Sequence, residues 1–176
     1  MRRSLLISLI LALVSLHVQA QSSGLGLYQS MKGLGLSYDF SHARGTDFDC
    51  LTVFADTGDM MLGRSDKAGI KFGFNRLYGF AGFQHPMALV SLYAGPGISA
   101  GRVRDIGHTD YGWCLSACGT FGCRIDFDRG VSIRAGFTAE VGAFIHKERE
   151  LHMSLYRNGL IHSAFPYIVI SMAFGR

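Results

Sequence analysis

Hydrophobic and polar positions alternate through residues 131–145, at first without a miss. Val131, Ile133, Ala135, Phe137, Ala139, Val141, Ala143 and Ile145 share one face. Ser132, Arg134, Gly136, Thr138, Glu140, Gly142 and Phe144 share the other. A period of two over this length predicts a β-strand with one apolar and one mostly polar side. Four further segments repeat the pattern. In 32–42, Leu34, Leu36, Tyr38 and Phe40 lie opposite Gly35, Ser37 and Asp39. In 69–76, Ile70, Phe72 and Phe74 lie opposite Lys71, Gly73 and Asn75. In 87–105, Ala88, Val90, Leu92, Ala94, Pro96, Ile98 and Ala100 lie opposite Ser91, Tyr93, Gly95, Gly97, Ser99 and Gly101. In 111–127, Tyr111, Trp113, Leu115, Ala117, Phe121, Cys123, Ile125 and Phe127 lie opposite Cys114, Ser116, Cys118, Thr120, Gly122, Arg124 and Asp126.

These strands are long. A run of 15 alternating residues at about 3.3 Å each reaches roughly 50 Å, against the five or six residues usual in globular sheets. A tilted strand needs about 9 to 11 residues to cross a bilayer. Less regular stretches complete the chain. Residues 47–61 read as a strand whose inner face the pattern does not assign, and 24–30 as the start of the first strand or a strand of its own. Residues 151–163 read as strand, loop or short helical turn, and the last segment puts Ile168, Ile170, Met172 and Phe174 on one face.

The link Asp128-Arg129-Gly130 sharpens the register. A three-residue hairpin loop with glycine last, in the left-handed conformation, pairs Phe127 with Val131. That sets Arg124 opposite Arg134, Thr120 opposite Thr138 and Cys118 opposite Glu140. Two facing arginines repel unless carboxylates lie between them. Asp126 and Glu140 are the near candidates, with Asp39 a third from another strand.

The choice of inner face decides the class. In a soluble ligand-binding barrel the apolar face lines a cavity and the outward face is rich in Lys, Glu, Asp and Asn. Here the polar faces carry Gly, Ser, Thr and isolated charges of both signs, which suits a narrow lumen packed with small groups and ion pairs. The expected interior polar cluster is therefore Arg124, Arg134, Asp126, Thr120, Thr138 and Glu140. The expected lipid-facing set is Val131, Ile133, Phe137, Val141, Trp113 and Phe121, with Tyr111, Trp113 and Phe127 toward the ends as interfacial aromatics.

Composition agrees, since 23 glycines, 3 prolines and 12% aromatic residues fit an all-β chain with many turns. The first residues, MRRSLLISLILALVSLHVQA, join two arginines, a short apolar run and a small-residue Val18-Gln19-Ala20 end. They read as a secretory signal peptide over residues 1–20, cleaved after Ala20, leaving residues 21–176 as one domain. Without Arg2 and Arg3 the charge falls to 15 basic against 13 acidic residues, which implies no nucleic-acid partner. No later segment offers a run of about 18 apolar residues for a membrane helix, so a membrane role requires a barrel.

With its signal peptide, the segment LYAGPGISAG, the pair CRIDFDRGVSIRAGFTAEVG and the final strand YIVISMAF, the chain resembles the small eight-stranded outer-membrane β-barrels of the OmpX and OmpA type. The resemblance implies an all-β, antiparallel, up-and-down transmembrane barrel in the cell outer membrane, with outer-membrane lipid and the barrel-assembly machinery as partners. Both chain ends should then be periplasmic and the strand count even. Two schemes satisfy this. Either 24–41 is one strand and 151–159 the seventh, or 24–30 is separate and 147–163 forms a long outer loop. Short periplasmic turns favour the second.

Local chemistry adds little. Cys114 and Cys118 share a face, yet about 13 Å of strand separates them, beyond a disulfide's reach of roughly 6 Å. Cys123 points away, so the three form no zinc site; a bridge to Cys50 stays open, and small wall residues are the favoured reading. The histidines show no ligand spacing, and no metal or cofactor is expected. GPGISAG misses the spacing of a phosphate loop and no helix follows. Its glycines make room for neighbours such as Tyr93, with Pro96 at a bulge. The expected role is structural or loop-mediated binding around a closed polar lumen, with no catalysis. Two alternatives are a lipid A acylase or deacylase, using a histidine, a serine and a carboxylate at the outer rim, residue types that SHARGTDFD and IHSAF supply, and a secreted ligand-binding barrel.

Overall fold

Consecutive long strands pair along the chain, and the first pairs with the last. The computed structural model describes residues 20–42, 46–61, 63, 66–104, 111–145, 151–153 and 164–174. Its strands are β1 (Ala20–Ser30), β2 (Gly33–His42), β3 (Phe48–Asp56), β4 (Gly69–His85), β5 (Ala88–Arg104), β6 (Tyr111–Phe127), β7 (Val131–Ile145), β8 (Leu151–Met153) and β9 (Ala164–Phe174). A helical turn, α1 (Gly58–Met61), follows β3. β8 is a short addition beside the loop-end residues of β7, and the other eight strands form an antiparallel ring closed by β1 on β9 and β9 on β7. This is an all-β, eight-stranded, up-and-down barrel. Closure satisfies the backbone groups that an open sheet would leave on its two edges.

The wall has two unlike ends. The terminus end carries the start of β1, the end of β9 and the facing strand ends His42 and Phe48, His85 and Ala88, and Phe127 and Val131; the loop end carries Ser30 and Gly33, Asp56 and Gly69, Arg104 and Tyr111, and Ile145 and Ala164. Residues 24–30 belong to a strand of their own, as the second parity scheme requires, and the link at Gly130 lies beside the end of β9; of that scheme's long loop, Leu151–Met153 pair with β7 and the remainder lies outside the described residues. The proposed cleavage segment before Ala20, and His162 and Ser163, lie outside the described residues.

The turn-derived register is present as read. Arg124 faces Arg134, Thr120 faces Thr138 and Cys118 faces Glu140. Gly130 has φ +79°, and its N–H donates to Phe127 O at 3.0 Å. A residue with a Cβ pays a steric penalty there, which is why glycine closes the loop. At the opposite end the β1–β2 turn is held by Ser30 Oγ, which accepts from the N–H groups of Lys32 and Gly33, both at 3.2 Å.

Pro96 departs from expectation. It stands in register opposite Gly119, and the bulge falls on β4 between Gly79 and Ala81. Proline lacks an N–H, so it interrupts bonding toward β4 without adding a residue. The strand whose inner face was unassigned, β3, turns Phe48, Cys50, Thr52 and Phe54 inward.

Inner-face glycines place the largest side chains. Tyr93, Gly122, Gly136 and Tyr167 occupy one row around the wall, each paired with the next. The two tyrosines lean over the two glycines and meet hydroxyl to hydroxyl at 2.6 Å. A Cβ on Gly122 would sit 2.5 Å from Tyr93 Oη and 2.5 Å from Ala135 O. Gly122→Val should therefore overpack the row and destabilise the barrel by about 1–3 kcal/mol, read as a lower urea midpoint by tryptophan fluorescence in detergent.

Candidate functional site: the lumen and its charged centres

Polar chemistry from many strands converges in the lumen, because inward positions alternate along every strand of a closed barrel. Arg124, Asp126, Thr120, Thr138, Arg134 and Glu140 all project into it from β6 and β7. They do not form one cluster. They divide among three centres along the axis.

Nearest the terminus end, Arg124 Nε donates to Asp126 Oδ1 at 2.8 Å. This pair borders a polar vestibule of about 230 Å³ that Ser22, Ser41, Gln84 and Ser132 also line. From the facing position on β7, Arg134 Nη2 donates to Asp39 Oδ1 at 2.8 Å and Ser37 Oγ at 2.8 Å, and lies 3.3 Å from Cys50 Sγ. Ser37 in turn donates to Asp39 at 3.1 Å. Both guanidinium groups stand over the ring of Phe48, at 4.7 Å for Arg124 and 5.2 Å for Arg134. The facing arginines thus share one aromatic ring and are neutralised by different carboxylates. Of the three candidate carboxylates, Asp39 and Asp126 serve the arginines and Glu140 does not.

Glu140 belongs to the third centre, toward the loop end. It pairs with Lys71 from β4, accepts from Ser99 Oγ at 3.1 Å, and lies 3.7 Å from Lys32 Nζ in the β1–β2 turn. Burial, and then the Lys71 ammonium, pull the Lys32 amine below the usual lysine range. Lys32 also stands 4.6 Å over the Phe165 ring. Between the second and third centres, Thr120 Oγ1 bonds Thr138 Oγ1 at 3.1 Å and donates to Asn75 Oδ1 at 3.2 Å.

Aromatic and aliphatic groups fill the space between these centres, and the lumen is less polar than the strand pattern implies. Tyr28, Phe54, Tyr167 and Val169 form one buried group; Phe48, Cys50, Leu77 and Tyr93 a second; Val103, Cys114 and Phe144 a third, toward the loop end. Three of these aromatics, Tyr28, Phe48 and Phe54, come from the two segments that alternation left ambiguous. The mid-lumen cavity left over measures about 30 Å³, room for one or two waters. Cys50, Cys114, Cys118 and Cys123 are all unpaired thiols, so no bridge to Cys50 exists. Among the described residues no group of His, Cys, Asp and Glu is arranged to hold a metal.

Val131, Ile133, Phe137, Val141, Trp113 and Phe121 point outward. The outward face also carries a polar group that the pattern did not flag. Asp49 on β3 faces Arg76 on β4, and Arg76 Nη1 donates to Asp49 Oδ1 at 3.0 Å and Oδ2 at 2.9 Å. His42 Nε2 lies 2.6 Å from Arg76 Nη1 and 3.0 Å from Asp49 Oδ2. This takes up the histidine and an aspartate of SHARGTDFD at the terminus end, away from the long connections. Among the described residues no serine hydroxyl bonds the His42 ring.

No family model matches the chain, and no curated protein matches it. Among solved structures it is similar to the N-terminal β-barrel domain of Pseudomonas aeruginosa OprF, with a TM-score of 0.57 and 11% identity, over 88% of this chain and 98% of that one. At that identity the likeness is one of fold.

Asp39 Oδ2 and Arg134 Nε are buried without partners among the described residues, so the pair costs desolvation that its contacts only partly return. Arg134→Ala should lower the temperature of heat-modifiable gel migration, as an unpaired buried carboxylate costs about 3–5 kcal/mol. The double change Arg134→Met with Asp39→Leu should recover most of that loss. Equal losses in the single and double variants would refute the internal pair.

Proposed function

We propose that this chain is an outer-membrane β-barrel with a closed lumen, acting as a structural element or through binding at its loop end. The observation that carries the reading is the outward face. Leu27 is 63% exposed, Phe72 52%, Ile98 60%, Leu115 64%, Phe137 59% and Ile170 53%, and these residues lie on six different strands around the ring. Monomeric soluble proteins rarely expose a contiguous apolar patch above a few hundred Å². Lipid removes the conflict, because a barrel has every backbone bond satisfied and presents only side chains to the hydrocarbon. A secreted ligand-binding barrel requires the reverse arrangement, with the apolar face around a cavity.

Within this reading, residues 1–20 are a signal peptide cleaved after Ala20, and the barrel-assembly machinery inserts residues 21–176. The terminus end, with its short links 86–87 and 128–130, faces the periplasm, and the long connections face outside, as is usual for such barrels. The outer-membrane lipid is the principal partner.

The lumen supports no solute path. Its charged side chains are paired among the described residues, and between the terminus-end vestibule and the loop end the aromatic groups leave a gap of only about 30 Å³. Liposomes carrying the refolded protein should therefore retain entrapped glucose, whereas a wide-pore barrel would release it. The membrane reading itself is tested at Phe137. Phe137→Arg near the middle of the outward face should cost about 2–4 kcal/mol of folding free energy in vesicles. A neutral or solubilising effect, with the protein stable in buffer after detergent removal, would instead support a soluble barrel.

A further inference from the structure

Along the outward side of β4 the order is Ile70, Phe72, Phe74, Arg76, Tyr78. One permanent cation interrupts an otherwise apolar and aromatic row. An arginine on the lipid side of a barrel is costly near the bilayer centre and becomes favourable only where an acceptor reaches it. Asp49 supplies part of that need, but only through Nη1. Nε and Nη2 have no acceptor among the described residues, and the side chain is 37% exposed. The guanidinium also stands over the Tyr78 ring at 5.6 Å.

His42 extends the cluster toward the terminus end, because it is the last residue of β2. The polar track thus begins at a strand end, where headgroups lie in the membrane reading, and leads to Arg76. Its two basic groups share one carboxylate. Neutral His42 accepts from Arg76 at Nε2; protonated His42 donates to Asp49. In both states the outer donors of Arg76 stay available. A planar guanidinium with two N–H groups turned to one side matches two oxygens of a phosphate.

We propose that Arg76, oriented by Asp49 and assisted by His42, binds the phosphate of a phospholipid headgroup against the outer wall at the terminus end. The inference rests on the membrane reading. A lipid is favoured over a second copy of the chain because the cluster lies at a strand end, where headgroups sit in the membrane reading, and Asp49, the carboxylate that Arg76 bonds, is buried and engaged and so gives a symmetric second copy no acceptor of its own.

Native mass spectrometry of the full refolded chain in maltoside detergent tests this. Phosphatidylglycerol is titrated beside a galactosyl diacylglycerol of equal chain length. The wild type should retain one phosphatidylglycerol and little galactolipid. Arg76→Gln should weaken retention about tenfold, the loss expected for one charged hydrogen-bonding group. His42→Gln should weaken it less, and Arg102→Gln, on the outward face at the loop end, should leave it unchanged.

Equal retention of the galactolipid, or an Arg76→Gln variant that holds phosphatidylglycerol as the wild type does, overturns the proposal. So does a dimer that Arg76→Gln abolishes, which would make a second copy the occupant. Heat-modifiable migration checks the fold of each variant. If Arg76→Gln does not fold, the wild-type lipid comparison together with His42→Gln decides. A chain that stays soluble and folded without detergent defeats the membrane reading; a chain that inserts but ignores phosphate defeats only this assignment.

Discussion

Closure of the ring is the constraint from which the other features follow. Once β1 pairs with β9, no strand edge is left to seek a partner, and each side chain has only two directions open to it. The inward direction is crowded and the outward direction is broad. Glycine, serine and threonine on inner positions are therefore a packing requirement of a narrow tube, and the few large inner residues must be matched by small ones beside them. The same geometry explains how residues more than ninety positions apart, such as Arg134 and Asp39, become first neighbours.

The interior divides its charge so that no carboxylate serves two arginines. Arg124 has Asp126 two residues away on its own strand, and Arg134 reaches across to β2. Phe48, from a third strand, stands against both guanidinium groups and is completely buried. Glu140 is left to the lysines near the other end. This arrangement fixes the strands relative to one another more than it adds stability, since each buried charge brings a desolvation cost of its own. A ring that slipped by one residue would turn these charges toward the outer face.

What the sequence revealed follows the range of the physics involved. The faces of β4 to β7, and the Arg124 to Arg134 register, were legible because alternation and a three-residue turn are local. Lys71 as the partner of Glu140 was not, because that contact depends on how many strands intervene and how far they stagger. The same holds for Asp39, which stood as only one of three possible partners. Tyr28, Phe48 and Phe54 were missed as lumen residues because both faces of their segments contain apolar groups, so a period of two carries no direction there. The Arg76, Asp49 and His42 cluster had a readable element, since Arg76 continues the outward phase of Ile70, Phe72 and Phe74. Its partners become visible only when β2, β3 and β4 are aligned.

The bulge in β4 has a further meaning. Phe80 and Phe83 stand three residues apart, an odd spacing that strict alternation sends to opposite faces, yet both are exposed on the outer side. The unpaired residue acts as a phase shift, resetting the strand so that Gly82 faces Ser91 and Phe83 faces Val90. The tip of the β4–β5 hairpin therefore reads in a different frame from its base. Deleting Phe80 would restore the simpler rhythm and leave every pairing up to His85 in place, whereas a regular strand of unchanged length would exchange the inside and outside of that whole tip.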